Sequence, residues 1–578
     1  MNTFKVYKKS GTYSESLEAY GLANLLKKIF DNNQIANPEI IIKDEGLYYT
    51  IITHSDISND DLKEIKYFDL FPYIKRDVQS EVDTYTNYYD YPKQKELKKD
   101  KQELIEKIYK EYKDKNEREK KLKEIDNIFK EHKFIDPSID VYQQLASYNN
   151  FVSYKKLYLN IYNNKDIFPE IIHQILSYYS EINYNDKEFD NITKDREFHK
   201  KITANQLLNP NKGKGIKSTK ANSAANTNFD SYWIPETMKI SGAITDMICQ
   251  LVKVGSNSYD LKIFVSAYKQ VKYSFKQTII PDFKKHLKGN TPIKIDILNI
   301  LTLTKIVIQN SGYTIVKQKV KNIIDGLHSV YQKDLGQGKA VVNIGYIQVP
   351  SFIEISNKEQ NDDWIDLLDE QINIINGIDE LGETINGLML YRNFISTSNI
   401  YNFFDFSYWY AIYLSTKLSK NEFVIPYKIK TLNKLYKNME TKELKLSEII
   451  SNPGFQAVAK AIRNSTISLQ FMPTENRKYE VRYGLAQELQ SKSKSKKDLS
   501  EFIGEFISFY NSETARSYEK EGRTYRSTVR SDELNEFYSL LDKYPSKLIG
   551  ALLASYGFAL PSKEIKITEQ NEENIENN

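Results

Sequence analysis

The spacing of apolar residues changes several times along the chain, and each change predicts a different element. Residues 14–31 place their apolar side chains at helical intervals, which predicts an amphipathic helix. Residues 37–53 contain two β-branched and aromatic runs around a polar turn, which predicts two short strands. Further segments with one spacing or the other are 147–182 and most of 293–324 for helices, with 261–274 and 340–355 for strands.

The C-terminal part of the chain is patterned for helices alone. Asn452 and Pro453 are suited to open a helix, because asparagine caps a helix N-terminus and proline fits its first turn. Asp498 and Ser531 are the predicted caps of two further helices, and Pro545 is predicted to end the second of them. We therefore expect a bundle of helices in this region.

These patterns and the length of 578 residues predict an α+β, helix-rich fold with several domains. Mixed α/β regions are expected in the N-terminal and central parts, followed by an all-α C-terminal helical bundle. Alternating Lys and Glu at about 92–133 predict a long exposed helix or helical hairpin inserted in the first region. The predicted domains are 1–198, 199–450 and 451–561, followed by an acidic, frayed tail at 562–578.

Composition narrows the functional classes. The formal net charge is only +4, so any surface that binds a polyanion must be local. One cysteine, Cys249, excludes internal disulfides and cysteine-based metal sites, and the six histidines are dispersed. No apolar run is long enough for a membrane span or a leader, so a soluble, cytoplasmic protein without a membrane partner is expected.

None of the candidate catalytic motifs in the sequence has all the residues that its chemistry requires. Lys217 and Ser218 resemble the end of a phosphate-binding loop, but the required glycine does not precede that lysine. The acidic residues at 362–370 follow one another along a predicted helix, where carboxylates usually face water rather than converge on metals. The aromatic run 403–410 continues at helical spacing into apolar sequence, which favours a buried core helix over a base-stacking surface. We expect no enzymatic activity, cofactor or metal.

Arginine is scarce and unevenly placed. Seven of the 11 arginines lie between positions 463 and 530, in a chain that otherwise uses lysine. The planar guanidinium group binds phosphate through two hydrogen bonds and stacks on flat rings. A cluster of arginines therefore indicates that this part of the chain makes contacts that lysine cannot make. A backbone-binding surface for nucleic acid is the favoured interpretation, and a solvated helix face paired with Glu is the alternative. The predicted contacts are Arg516, Lys520, Arg523, Arg526 and Arg530, all expected to be exposed, with Gly522 a possible helix break.

The composition changes abruptly at 199–229, where lysine, asparagine, serine and glycine are abundant and acidic residues are absent. Backbone N–H groups and ammonium groups of such a loop can contact phosphate, and asparagines can reach base edges. A mobile surface loop without a ligand is the alternative. The candidate contacts are Asn209, Asn211, Lys212, Lys214, Lys217 and Asn222.

Three segments together resemble the large subunit of a type I CRISPR Cascade complex, most closely subtype I-B or the related I-A. They are the N-terminal YSESLEAYGLANLL, the central NPNKGKGIKSTKAN followed by WIPETMKISG, and the C-terminal ISFYNSETARSY with KLIGALLASYGFAL. The similarity covers about a third of the chain, and the chain departs from some relatives in lacking a cysteine-based metal site.

The resemblance implies a non-catalytic subunit that senses the protospacer-adjacent motif (PAM) in duplex DNA and stabilises the R-loop. Guide pairing then reads the sequence, while protein reads the short motif and the backbone. The implied partners are guide RNA, target DNA, the backbone, guide-processing and small subunits, and a recruited helicase-nuclease that cuts. Two alternatives stay open: a stand-alone phage-defence effector or nuclease with an unrecognised active site, and a purely structural interaction protein.

Overall fold

The computed structural model describes residues 1–35, 38–76, 87–129, 141–180, 184–212, 230–255, 258–312, 317–336 and 338–561. The chain divides into two compact units. Unit 1 comprises Met1–Ile295 with Val320–Val349, and unit 2 comprises Asp296–Lys319 with Pro350–Asn578.

The predicted domain boundaries at 198/199 and 450/451 fall inside these units. In unit 1 the side chain of Asn160 donates to the carbonyl of His199 at 2.9 Å and accepts from its N–H at 2.7 Å. Residues on both sides of the first predicted boundary therefore pack together.

The strands, in chain order, are β1 Thr3–Tyr7, β2 Ile40–Asp44, β3 Tyr48–Thr53, β4 Tyr73–Lys75, β5 Tyr88–Asp90, β6 Lys201–Thr203, β7 Asp230–Tyr232, β8 Ile248–Lys253, β9 Tyr259–Tyr268, β10 Gln270–Lys272, β11 Gln318–Lys319, β12 Ile324–Asp334, β13 Lys339–Gln348 and β14 Glu354–Ile355. Two antiparallel four-stranded sheets have the orders β1-β3-β2-β10 and β13-β12-β9-β8. The remaining strands form the pairs β4–β5, β6–β7 and β11–β14.

The first eleven α-helices are α1 Ser14–Asn32, α2 Asn59–Lys63, α3 Tyr91–Glu111, α4 Lys115–Ile128, α5 Val141–Leu145, α6 Tyr148–Tyr162, α7 Phe168–Ser180, α8 Asp186–Thr193, α9 Trp233–Asp246, α10 Tyr273–Lys285 and α11 Pro292–Asn310. The others are α12 Lys358–Asn376, α13 Thr384–Thr397, α14 Ile400–Ser419, α15 Ile429–Asn438, α16 Leu446–Ser451, α17 Pro453–Ser465, α18 Ile467–Gln470, α19 Leu485–Lys492, α20 Lys496–Glu521, α21 Ser531–Lys543 and α22 Ser546–Gly557. Of the described residues, 59% are helical and 15% lie in strands, which confirms the α+β, helix-rich class and the helical C-terminal region.

Helix α1 is the centre of unit 1. Fourteen of its 19 residues are buried, so it packs on several sides rather than along one stripe. It lies against the β1-β3-β2-β10 sheet and against α9, and the hydroxyl of Tyr20 donates to the carbonyl of Ser266 in β9 at 2.6 Å. This helix therefore links both sheets of the unit.

Two glycines allow the backbones of α1 and α9 to touch. A Cβ atom at Gly21 would lie 1.8 Å from the carbonyl oxygen of Met238, and one at Gly242 would lie 1.9 Å from that of Leu17. No side chain fits at either position, so this contact fixes the position of α9 on α1. It thereby positions the polar residues that the two helices contribute to the candidate site.

Unit 2 has a core rich in aromatic side chains. The run 403–410 lies in α14, where Phe403, Phe406 and Tyr410 are buried, which confirms the predicted core helix. The α14 helix contacts α13, α19 and α22, and α17 contacts α20, α21 and α22. The C-terminal helices thus share one core.

Several local predictions are confirmed and others are wrong. The observed α1, the β2–β3 hairpin and the paired helices α3 and α4 follow the predictions, and the Asn452 side chain caps α17 by accepting the N–H of Phe455 at 3.1 Å. The helix predicted over most of 293–324 ends at Asn310, and β12 begins at Ile324. Isoleucine-rich sequence fits either element, so periodicity alone did not separate them.

Two predicted caps are also wrong. Helix α20 begins three residues before the expected position, because the Ser495 hydroxyl accepts the N–H of Asp498 at 3.2 Å. Asp498 lies in the first turn, where a carboxylate is favoured by the helix dipole without being the cap. In α21 the N-cap residue is Arg530, and Ser531 is the first helical residue.

Candidate nucleic-acid interface

The described start of the basic segment is tied to the first turn of α1. The Tyr13 hydroxyl donates to the carbonyl of Leu207 at 2.6 Å, and the Ser14 hydroxyl donates to the carbonyl of Leu208 at 2.7 Å. A short 3₁₀ turn, Pro210–Lys212, follows. The described part of the basic segment is therefore anchored to the core of unit 1.

Asn209 is buried, with 2% of its surface exposed, and its amide is fully engaged. Its Nδ2 donates to both carboxylate oxygens of Glu236 at 3.0 Å, and its Oδ1 accepts from the ammonium group of Lys239 at 2.9 Å. The prediction that Asn209 is exposed and contacts a base is therefore wrong. The residue instead holds the Pro210–Lys212 turn on α9.

Asn211 and Lys212 are half-buried, and both line a cavity of about 570 Å³. Within the described part of the chain, the Oδ1 of Asn211 has no hydrogen-bond partner. Burial lowers the pKa of Lys212, and the nearby charge of Lys239 lowers it further. The other three residues predicted from this segment, Lys214, Lys217 and Asn222, lie outside the described residues.

The cavity wall brings together parts of unit 1 that are far apart in sequence. It combines amines, carboxylates and tyrosine rings from β1, α1, α7, β7 and α9, together with the turn Pro210–Lys212. The lining residues that bear on function are Lys5, Tyr7, Lys9, Glu15, Glu18, Tyr178, Tyr232 and Lys239. Sequence reasoning missed all of them, because no local signal relates residues of β1 to residues of α7.

Glu18 is the carboxyl group most affected by this environment. Burial raises its pKa from an ordinary value of 4.5 to about 7, although the charge of Lys239 and a hydrogen bond from Tyr179 oppose the shift. The neighbouring carboxylates of Glu15 and Glu236 raise it further. The carboxyl group of Glu18 is thus close to half-protonated near neutral pH.

The predicted C-terminal residues separate into two groups. Helix α20 has Thr514 as its last buried residue and continues for two turns to Glu521. Arg516 and Lys520 are exposed on these turns, and Tyr518 between them is 57% exposed. The helix ends at Gly522, whose φ of +68° suits glycine, as the sequence indicated.

Arg526 is the exception to the predicted exposure. Its side chain is 3% exposed, and its guanidinium lies 3.7 Å from the ring centroid of Tyr479 and 3.9 Å from that of Tyr510. It donates to Thr514 Oγ1 at 2.9 Å and to a carboxylate oxygen of Glu513 at 2.8 Å. The prediction that Arg526 faces solvent is wrong, because its planar guanidinium group is buried between two aromatic rings.

Arg523 and Arg530 remain exposed. The Nε of Arg523 donates to the hydroxyl of Tyr525 at 2.7 Å. The guanidinium of Arg530 lies 3.3 Å from Asp532 and 3.4 Å from Glu533, with its side chain 67% exposed. Arg530 therefore fits the alternative of a helix-face ion pair, whereas Arg516, Lys520 and Arg523 form the described basic strip at the end of α20.

The other arginines of this window also have structural contacts. Arg463 donates to the carbonyl of Tyr556 at 2.7 Å, Arg477 to that of Met472 at 3.1 Å, and the guanidinium of Arg482 lies 4.0 Å from the ring centroid of Phe509. Contacts with aromatic rings and carbonyl oxygens therefore account for many of the arginines in this window.

No family model matches this chain, and no curated protein matches it. Among the described residues, no three His, Cys, Asp or Glu side chains are grouped so that they could hold a metal ion. In the same ranges, no helix combines the length and the apolar composition that crossing a bilayer requires.

Proposed function

We propose that the chain is a non-catalytic, nucleic-acid-binding subunit of a guide-RNA-directed antiviral complex. In this proposal it senses the PAM, stabilises the R-loop, and works with Cascade backbone, guide-processing and small subunits. A recruited helicase-nuclease cuts the target. The resemblance of three segments to Cascade large subunits supports the proposal, and two described surfaces are compatible with it.

The observation that carries the proposal is the strip at the end of α20. The last two turns of α20 contain no buried residue and so contribute nothing to the core. They carry Arg516, Lys520 and the exposed ring of Tyr518, and Arg523 follows them. Cations that follow a backbone beside an exposed aromatic ring are the usual means of holding a single strand. The flanking Glu519 and Glu521 limit the net charge, so binding is expected to be salt-sensitive and moderate.

The second surface lies at the turn Pro210–Lys212 in unit 1. Asn211 and Lys212 are half-buried there, while buried Asn209 holds the turn in place. In the proposal, lysine contacts phosphate, and an asparagine amide reads a base edge of the PAM. Of the two described asparagines, Asn211 therefore keeps the predicted role and Asn209 does not.

The strip is tested by replacing Arg516, Lys520 and Arg523 with alanine together. Each lost phosphate contact lowers the slope of log K against log salt by about 0.7 on a single strand, so a fall of about 2 is expected. The measurement is fluorescence anisotropy of a labelled single-stranded DNA titrated with the full chain at several KCl concentrations.

A matched control removes the same charge where α19 ends and α20 begins. Lys492, Lys494 and Lys497 are exposed there, and their triple alanine variant is expected to keep the wild-type slope. An equal loss of slope in both variants would show that total charge, rather than the strip, attracts the strand. An unchanged slope in the Arg516, Lys520, Arg523 variant would remove the strip from the proposal.

A further inference from the structure

The cavity beside the turn Pro210–Lys212 has the size of a small-molecule site. Its volume of about 570 Å³ lies within the range of roughly 300–1,000 Å³ that is usual for ligand pockets. A phosphate contact on an open surface needs no such cavity. The shape of the wall therefore points to a ligand that enters it.

Aromatic rings provide flat faces on this wall. Tyr7 in β1 is 43% exposed, and the rings of Tyr178 and Tyr232 lie with their centroids 5.9 Å apart and their planes inclined by 30°. The Tyr184 hydroxyl donates to the Tyr232 hydroxyl at 3.1 Å and holds that ring in place. Faces of this kind bind planar bases without requiring one sequence.

Most charges of the wall differ in depth. Glu15 is a buried acidic residue of the wall, whereas Lys5 and Lys212 are half-buried and Lys9 is exposed. Asp230 is an exposed acidic residue of the same wall. A phosphate is repelled by the buried carboxylate, and among the more accessible groups the three amines outnumber the single carboxylate. A nucleotide can therefore enter with only its base directed inward.

The inner wall offers polar groups suited to a base edge. The buried Oδ1 of Asn211 has no partner among the described residues, and an N–H of an unpaired base would satisfy it. In this inference Asn211 therefore meets an unpaired base, in place of the paired PAM base assigned to it above. Glu18, with a pKa of about 7, presents both a donor and acceptors near neutral pH. Lys239 is held by Glu236 and Asn209 and contributes no open phosphate site.

We propose that this cavity binds one nucleotide, with the base between Tyr7 and the inner wall and the phosphate at Lys5 and Lys9. The inference rests on the proposed nucleic-acid function and deepens it. A base paired within a duplex cannot reach the cavity unless it leaves the stack, so the ligand is an unpaired base of a strand or a free mononucleotide.

The test compares Tyr7→Ala with Tyr259→Ala in the full chain. Tyr259 is also 43% exposed, also lies at the end of a strand in unit 1, and is not part of the cavity wall. The probes are a labelled DNA duplex with a single-stranded overhang, the same duplex with blunt ends, and deoxyadenosine monophosphate as a competitor.

Loss of a stacked base is expected to weaken binding of the overhang DNA by about tenfold or more in Tyr7→Ala, with blunt-duplex binding unchanged. Tyr259→Ala is expected to bind both DNAs as the wild type does. A loss confined to deoxyadenosine monophosphate also supports the site and identifies a free nucleotide as its ligand. Wild-type binding of every probe by Tyr7→Ala would overturn the inference and leave the proposed function standing.

A second variant guards against a folding defect in the first. Lys9 is exposed, and Lys9→Ala is expected to lower the salt slope for the overhang DNA by about 0.7, the value of one phosphate contact. An unchanged slope with this variant would contradict the phosphate position. If the wild-type chain bound none of the DNA probes, the proposed function itself would fail. The base site would fail with it only if the wild-type chain also did not bind deoxyadenosine monophosphate.

Discussion

Replacing Arg526 by alanine is expected to lower the free energy of unfolding of the C-terminal helices by about 3 kcal/mol. The substitution removes a guanidinium held between two rings and leaves Glu513 Oε2 and Thr514 Oγ1 without this donor. The carbonyl of Tyr510 loses the arginine but still accepts from the Thr514 hydroxyl. Breaking a buried ion pair typically destabilises by roughly 3–5 kcal/mol. The lower end applies here because the Glu513 side chain retains 22% exposure and can be hydrated.

Arg526→Lys is expected to recover only part of this loss. An ammonium group is not planar, so it cannot stack on the two rings or donate the same hydrogen bonds as the guanidinium group. Arg530→Ala is the matched control, because its side chain is 67% exposed and such replacements usually change stability by less than about 0.5 kcal/mol. Urea unfolding of the full chain measures all three variants. Coincident curves for the Arg526→Ala and Arg530→Ala proteins would contradict the buried role.

This result also bears on the binding test. The sequence predicts that Arg523, Arg526 and Arg530 are all exposed, so a triple alanine variant of these residues would be expected to alter strand binding and barely to alter folding. Since Arg526 is buried, such a variant would confound binding with stability. The Arg516, Lys520 and Arg523 variant avoids the problem, because all three side chains are exposed.

The second large effect concerns Glu18 and pH. Its pKa is about 7 in the folded chain and about 4.5 when the chain is unfolded, so between these values the folded state binds the extra proton. Stability therefore falls as pH rises from about 4.5 to 7, and the loss is complete above that. A shift of this size corresponds to about 3 kcal/mol.

Glu18→Gln removes the titration while keeping an oxygen that accepts from the Tyr179 hydroxyl, a bond of 2.9 Å in the wild type. The variant is expected to gain stability relative to the wild type as pH rises, by up to about 3 kcal/mol at pH 8. The difference between the two unfolding curves isolates Glu18, because Glu370, whose pKa burial also raises to about 7, titrates in both proteins. A difference that is independent of pH would contradict the assignment.

The spacing of apolar residues and the capping residues correctly predicted the helices whose formation depends on neighbouring residues in the sequence. The periodicity of α1 and α14 and the Asn452–Pro453 start of α17 are written in adjacent residues, and each is observed. The end of α11 was not predictable in this way, because isoleucine and valine fit a helix and a strand alike. Sequence reasoning also favoured exposure for Arg526, whose ring partner Tyr479 lies far upstream.

The candidate site was predictable only in outline. Composition indicated the basic segment and the arginine-rich window, but it did not distinguish an amide that reads a base from one that holds a turn. That distinction depends on Glu236 and Lys239, which meet Asn209 because α9 lies against α1 at Gly21 and Gly242. Contacts of this kind are made by tertiary packing and leave no periodic signal.

The central claim is that nucleic acid lies along the end of α20 and at the Pro210–Lys212 turn. Photo-cross-linking of the full chain to an iodouracil-substituted DNA, a duplex with a single-stranded overhang, tests it most directly, with the attached peptides located by mass spectrometry. We predict cross-links at Tyr518 for the single strand and in the peptide containing Asn211 for the duplex. The Lys-rich helices α3 and α4, which are also charged, serve as the internal reference. Labelling of α3 and α4 equal to that of the two predicted surfaces, or no labelling at all, would contradict the account.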